Sequence, residues 1–81
     1  MTTILFFGRL RDRTGEALTI RLAPDVRTVS DLRRWLDATV EGLHCAEDRT
    51  VRFVADGEIV VESADISKAR EIALIPPVSG G

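Results

Sequence analysis

One amphipathic helix lies between two groups of strand-like segments, and this arrangement most narrows the folds open to the chain. Thr28 and Asp31 match a capping box, in which the Thr28 hydroxyl accepts from a first-turn N–H and Asp31 reaches back. Four apolar residues follow at helical spacing: Val29, Leu32, Leu36 and Val40. Trp35 lies at the flank of this stripe. Gly42 is a suitable C-terminal stop. Such a stripe indicates core packing.

The other side chains of this helix are mostly charged. Arg33, Arg34, Asp37 and Glu41 fall elsewhere on the helical wheel. The wheel therefore predicts one buried face and one polar face.

Five segments are typical of β-strands because they are β-branched, aromatic or alternating: residues 3–7, 17–23, 51–55, 58–61 and 71–75. We expect the first two to pair antiparallel, with residues 9–15 between them as a loop or a single helical turn. Asp56-Gly57 predicts a tight turn. Residues 43–49 are a mostly polar connection, and Ile66 is the expected inward anchor of 62–70. One helix facing one mixed sheet gives an α+β class.

The first strand is apolar on both of its faces. Ile4 and Phe6 point one way and Leu5 and Phe7 the other. In the last strand, Ala73 and Ile75 likewise form an apolar face that the helix need not cover. Only one face can pack on the helix, and an exposed apolar patch on a small domain usually marks a partner surface.

Composition excludes several classes of function. The chain has 81 residues, which predicts one domain, and a formal charge of −2 with no basic stripe, which argues against a nucleic-acid partner. No apolar run approaches the roughly 20 residues that cross a bilayer, so we expect no membrane partner. The N-terminus lacks the plan of a secretion signal, so the cytoplasm is the expected location. No nucleophile–base pair or phosphate-binding loop is visible.

Cys45 is the single cysteine and lies beside His44, the single histidine. A metal site usually needs three or four ligands, so none is predicted. The residues after Cys45 are not electropositive, so nothing lowers the pKa of its thiol. We interpret Cys45 as a loop or helix-end residue.

The chain ends on a distinctive tail. Pro76-Pro77 stops the last strand because neither residue can donate to a ladder, and Val78-Ser79-Gly80-Gly81 follows. We therefore divide the chain into a domain of residues 1–77 and a flexible tail of residues 78–81. Glycine passes through a narrow channel without steric conflict. A terminal glycine also offers its carboxylate, once activated, with the least hindrance to an attacking group.

The whole chain resembles the small, sulfur-carrying subunit of molybdopterin synthase. The resemblance rests on Leu5-Phe6-Phe7-Gly8, Leu10-Arg11-Asp12 and Thr14-Gly15 near the start, on Thr28-Val29 with Leu32 at the helix, and on the ending Pro76-Pro77-Val78-Ser79-Gly80-Gly81. The ending is the most specific part. Related carriers for thiamine synthesis and tRNA thiolation share Gly-Gly but usually lack the preceding Pro-Pro-Val-Ser.

The resemblance implies a ubiquitin-like β-grasp fold and a cycle of sulfur transfer. An E1-like enzyme uses ATP to adenylate Gly81, and a sulfur donor converts the adenylate to a thiocarboxylate. Residues Pro76 to Gly80 then insert into the large synthase subunit, where Gly81 gives sulfur to cyclic pyranopterin monophosphate. Two carriers and two large subunits would form a heterotetramer. No cofactor is bound by the chain itself, which carries its sulfur covalently.

The resemblance also implies that Phe7, Ile59 and Ile75 meet the large subunit and the activating enzyme. Two departures bear on these contacts. Ala69-Arg70 stands where the family usually has Gly-Asp, and Ala55 stands where the third strand often ends on Asn. Two alternative functions stay open: a sulfur carrier for another pathway, and a ubiquitin-like modifier joined to lysines through Gly81.

Overall fold

A computed structural model gives the structure of the chain and describes residues 1–41, 43–45, 48 and 50–77. These residues contain five strands and two helices, in the order strand, helix, strand, helix, strand, strand, strand. They are β1 (Thr2–Phe6), α1 (Gly8–Thr14), β2 (Ala17–Ile20), α2 (Val29–Thr39), β3 (Arg52–Ala55), β4 (Glu58–Val60) and β5 (Glu71–Ile75).

The strands form one mixed sheet in the order β2-β1-β5-β3-β4. β1 and β2 pair antiparallel, as predicted, and β3 pairs antiparallel with both β4 and β5. The central strand β5 runs parallel to β1, with Phe6 opposite Leu74. A mixed sheet carrying one main helix is the predicted α+β, β-grasp architecture.

The start of α2 is formed as its sequence predicts. The N–H of Asp31 donates to Thr28 Oγ1 at 3.2 Å, and the N–H of Thr28 donates to Asp31 Oδ2 at 3.1 Å. Val29, Leu32 and Leu36 are fully buried on the helix face that meets the core. The core also contains buried residues from three strands and from the segment before β5: Ile4, Phe6, Phe53, Ile66, Ile72 and Leu74.

The turn between β3 and β4 is the predicted one, with positive φ at Asp56 (48°) and Gly57 (88°). The Asp56 carboxylate has a second role, because its Oδ1 accepts from the N–H groups of Arg70 (3.1 Å) and Glu71 (3.0 Å). Arg70 is part of the departure from the common family pattern. Asp56 therefore fixes the entry to β5 through backbone groups that do not depend on the residue type at position 70.

Some boundaries differ from those predicted. β2 ends at Ile20 rather than residue 23, and residues 9–15 contain most of α1, which buries Leu10 against the core. The connection after α2 is mostly polar in sequence, but two of its residues, Leu43 and Cys45, are buried in the core. The predicted helix stop at Gly42 lies outside the described residues, and α2 ends at Thr39.

The helical wheel places Arg33 outside the apolar stripe, yet its side chain is only 4% exposed. All three nitrogen atoms of its guanidinium donate hydrogen bonds. It pairs with Glu62 at 2.8 Å, donates to the carbonyl oxygens of Cys45 (2.9 Å), Asp48 (3.0 Å) and Val51 (2.7 Å), and lies 4.6 Å from the centroid of the Phe53 ring. Burial of a charge is tolerated when it is paired and hydrogen-bonded in this way. Arg33 thus ties the connection after α2 to the body of the domain.

Within the described part of the chain, neither helix is long and apolar enough to cross a membrane.

Candidate functional site

The predicted reactive tail begins where the description of the chain stops. Pro76 and Pro77 are described and follow β5 directly, whereas Val78, Ser79, Gly80 and Gly81 lie outside the described residues. The described part of the site is therefore the end of the sheet where β5 stops, together with Pro76 and Pro77, which we call the root of the tail.

Two exposed apolar side chains stand next to this root. β1 and β5 are parallel and end at the same edge of the sheet, where the N–H of Phe7 donates to the carbonyl oxygen of Leu74 at 3.3 Å. Phe6 and Leu74 point into the core, so the next residues in each chain, Phe7 and Ile75, point to the other face. Phe7 is 45% exposed and Ile75 40% exposed.

The strand register extends this apolar area across the sheet. Residues that face each other in neighbouring strands share one face, and the register pairs Leu5 with Ala73, Ala73 with Val54, and Val54 with Ile59. Ile59 lies on the edge strand and is 72% exposed. We call this surface, opposite α2, the outer sheet face: Leu5, Phe7, Val54, Ile59, Ala73 and Ile75.

The outer sheet face brings together the three predicted partner residues, Phe7, Ile59 and Ile75, and none of them belongs to the core. Arg52, which is opposite Ile75 in the register, places an exposed cation at the border of the face. Apolar residues surrounded by charged ones are the usual composition of a protein-binding surface. Their contact with a partner stays a prediction.

Cys45 is fully buried in the connection after α2. Its N–H donates to Asp37 Oδ1 at 2.7 Å, and its Sγ lies 3.7 Å from the carbonyl oxygen of Arg33. Burial, followed by the neighbouring Asp37, raises the pKa of the thiol to about 12. The thiolate is the nucleophilic form, so this geometry makes Cys45 inert at neutral pH. Burial is the larger cause of the raised pKa, and the acidic residues that follow Cys45 in the sequence do not indicate that burial.

Over residues 1–41, 43–45, 48 and 50–77, no three side chains of the metal-ligating types come together. The outer sheet face lies next to Pro76 and Pro77, which lead into the tail with the predicted reactive end.

Comparison with known proteins decides the family. The model of the ThiS family matches residues 4–81, which is almost the entire chain. This chain belongs to the ThiS family. It is accordingly a small ubiquitin-like sulfur carrier rather than an independent enzyme, and carriers of the ThiS family work with E1-like activating enzymes and further partner enzymes.

The fold of this ThiS-family carrier is also found in a solved structure. The crystal structure of SAMP1 from Haloferax volcanii matches with a TM-score of 0.67 and 29% sequence identity, over 99% of this chain and 98% of that one. The two therefore share a ubiquitin-like fold. Among curated proteins, no sequence match was found.

Arg33 is the residue of structural consequence that sequence reasoning missed. Its partners come from the connection after α2 and from Glu62, and no sequence pattern relates these positions to one another. The only local signal was its position next to Leu32 at the border of the apolar stripe.

Proposed function

We propose that this ThiS-family protein is the sulfur-carrying subunit of a molybdopterin synthase and works in the cytoplasm. The observation that carries the proposal is the ending Pro76-Pro77-Val78-Ser79-Gly80-Gly81, within a chain that matches the family almost throughout. In related carriers of other pathways the four residues before Gly-Gly usually differ, so the ending favours this pathway.

The chemistry belongs to the α-carboxylate of Gly81. A carboxylate is a poor acyl donor until one of its oxygens is converted to a leaving group. An E1-like partner would supply ATP, the Gly81 oxygen would attack the α-phosphorus, and pyrophosphate would leave. Sulfide released by a sulfur donor would then attack the acyl carbon, the C–O bond to AMP would break, and AMP would leave a thiocarboxylate on Gly81. ATP is bound by the partner and not by this chain.

The outer sheet face would hold the carrier while the tail reaches the partner's active site. Phe7 and Ile75 lie beside the root of the tail, so a partner that covers them also receives Pro76 and Pro77. Exposed aromatic and aliphatic anchors of this kind often contribute about 2 kcal/mol or more each to binding. The same face would bind the activating enzyme and the large synthase subunit in turn, with two carriers and two large subunits in the working assembly.

The ubiquitin-like fold also suits a protein modifier, in which Gly81 would be joined to lysine side chains. A single set of reactions distinguishes the possibilities. The thiocarboxylate form of the chain is incubated with the large subunit of molybdopterin synthase and cyclic pyranopterin monophosphate. Parallel reactions contain the partner enzymes of thiamine synthesis and of tRNA thiolation.

The proposal predicts that molybdopterin forms and that the other two acceptors receive little sulfur. Preferential transfer to either of the other acceptors would assign the carrier to that pathway. Lysine conjugates through Gly81 in the source cells, found by peptide mass spectrometry in place of the thiocarboxylate, would instead identify a modifier.

A further inference from the structure

Gly8 and Pro76 are in direct contact at the sheet edge where the tail begins. They lie two residues beyond Phe6 and Leu74, which face each other in the parallel pair of β1 and β5. Gly8 has a φ of +55°, and a Cβ built on it would lie 2.9 Å from Pro76 Cγ and 3.7 Å from Pro76 Cδ. Real Cβ atoms essentially never approach another heavy atom as closely as 2.9 Å. The proline ring therefore occupies the space that a side chain at position 8 would need.

The backbone around Gly8 is held more firmly than Pro76. Before Gly8, the N–H of Phe7 donates to Leu74, and the carbonyl oxygen of Phe7 accepts from the N–H of Leu10 at 3.2 Å. Leu10 is 2% exposed and belongs to the core. On the other side, Pro76 lies beyond the last residue of β5 and has no N–H with which to bond to a neighbouring strand. A methyl group at position 8 would therefore be relieved mainly by displacement of Pro76.

We propose that Gly8 is a positioning residue for the reactive tail. Because Gly8 lacks a Cβ, the Pro76 ring rests against the start of α1, and this contact sets the direction in which the chain leaves the sheet. The proposal rests on the proposed function, in which Gly81 is the reactive end. Gly81 is the fifth residue after Pro76 and can lie at most about 18 Å from it, so the direction of the chain at Pro76 biases the region that the carboxylate can reach.

The expected effect is on the KM for the carrier. If the tail of a variant points in a productive direction for a smaller fraction of the time, its apparent affinity falls by that fraction. Once the tail is bound, the reacting atoms are the same and kcat is unchanged. A loss of stability alone would not raise KM for a protein that remains folded at the assay temperature.

The experiment compares Gly8→Ala with a matched control from the same chain, Gly57→Ala. Gly57 also has positive φ (+88°), but a Cβ there would meet nothing within 4 Å. Both substitutions therefore strain the backbone, and only Gly8→Ala displaces Pro76. Adenylation by an E1-like enzyme is measured as ATP–pyrophosphate exchange against carrier concentration, with thermal melting as the control for folding.

We expect Gly8→Ala to raise KM about tenfold with little change in kcat, and Gly57→Ala to leave both unchanged. Pro76→Ala, which removes the ring without straining position 8, tests the same contact from the other side and should also raise KM. The double variant Gly8→Ala/Pro76→Ala should be no worse than Pro76→Ala alone, since the methyl group then meets no ring.

Wild-type KM in Gly8→Ala and Pro76→Ala would overturn the inference while leaving the proposed function intact. Equal increases in Gly8→Ala and Gly57→Ala would also overturn it, because backbone strain would then be the cause. Absence of exchange with the wild-type chain would count against the proposed function itself, and with it against the inference. Exchange by the wild type thus separates the two failures.

Discussion

Replacement of Arg33 by Met should destabilise the domain more than any other single change of a charged side chain in the described part of the chain. Met keeps most of the aliphatic stem but removes the guanidinium. Glu62 then loses its ion pair at 2.8 Å, and the carbonyl oxygens of Cys45, Asp48 and Val51 lose their donor.

The size of the effect follows from the ion pair and the hydrogen bonds that are lost. Removing one partner of a buried ion pair typically costs about 3–5 kcal/mol. Glu62 is 34% exposed and can be rehydrated in part, which places this case at the low end, at about 3 kcal/mol. For a domain of this size, each kcal/mol lowers Tm by about 6 °C, so we expect a loss of about 18 °C.

Thermal and urea unfolding at neutral pH measure this change. The matched control is Arg34→Met, one residue further along the same helix, because the Arg34 side chain is 68% exposed and pairs only with Asp31 among the described salt bridges. Arg34→Met should leave Tm nearly unchanged, since exposed pairs contribute little. A loss of less than about 1 kcal/mol in Arg33→Met would refute the reasoning, because the guanidinium would then not be holding the connection after α2.

Three further outcomes are expected. Phe6→Ala should lose about 3–5 kcal/mol of stability, whereas Phe7→Ala should keep the wild-type Tm and weaken partner binding by about 2 kcal/mol in a titration; a large loss of stability in Phe7→Ala would place it in the core. Cys45→Ser, shown to be folded by its melting curve, should still form molybdopterin, and the native thiol should react with an alkylating agent far more slowly than in urea. Loss of sulfur transfer would mean that the sulfur travels on Cys45. Hydrogen bonds from the side chains of Thr50 and Ser67 hold the pKa values of Asp48 and Asp65 below the usual 3.8, so their stabilisation is present above about pH 4 and is lost as pH falls through the lowered values. Melting temperatures that stayed constant from about pH 6 to about pH 2 would contradict this.

The elements that were predictable from sequence are those with local causes. The capping box at Thr28 joins residues three apart, and the turn at Asp56-Gly57 depends on two neighbours that tolerate positive φ. The apolar stripe of α2 follows from helical periodicity, and the second apolar face of β1 follows from strand alternation. Each can be deduced without knowing what the rest of the chain does.

Features with distant causes could not be deduced in this way. The burial of Arg33 depends on Glu62, which lies 29 positions further along the chain, and on three carbonyl groups whose positions are set by tertiary packing. The contact of Gly8 with Pro76 requires the parallel pairing of the first strand with the last, and neither segment shows that pairing by its own pattern. At the site, the exposure of Phe7 and Ile75 was predictable from alternation, whereas the inertness of Cys45 has a tertiary cause in its burial.

Sulfur transfer through Gly81 can be observed directly as the intact mass of the chain after incubation with an E1-like activating enzyme, ATP and a sulfur donor. Its companion is the same chain extended by one alanine after Gly81. The extra residue moves the carboxylate by roughly 3.5 Å, and misplacement of about 1 Å can already cost about 100-fold in rate. If Gly81 carries the sulfur, the wild type gains the mass of one sulfur replacing one oxygen. No gain is expected in the extended chain, with equal Tm for the two proteins. Full thiocarboxylation and molybdopterin formation by the extended chain would contradict the carrier role of Gly81.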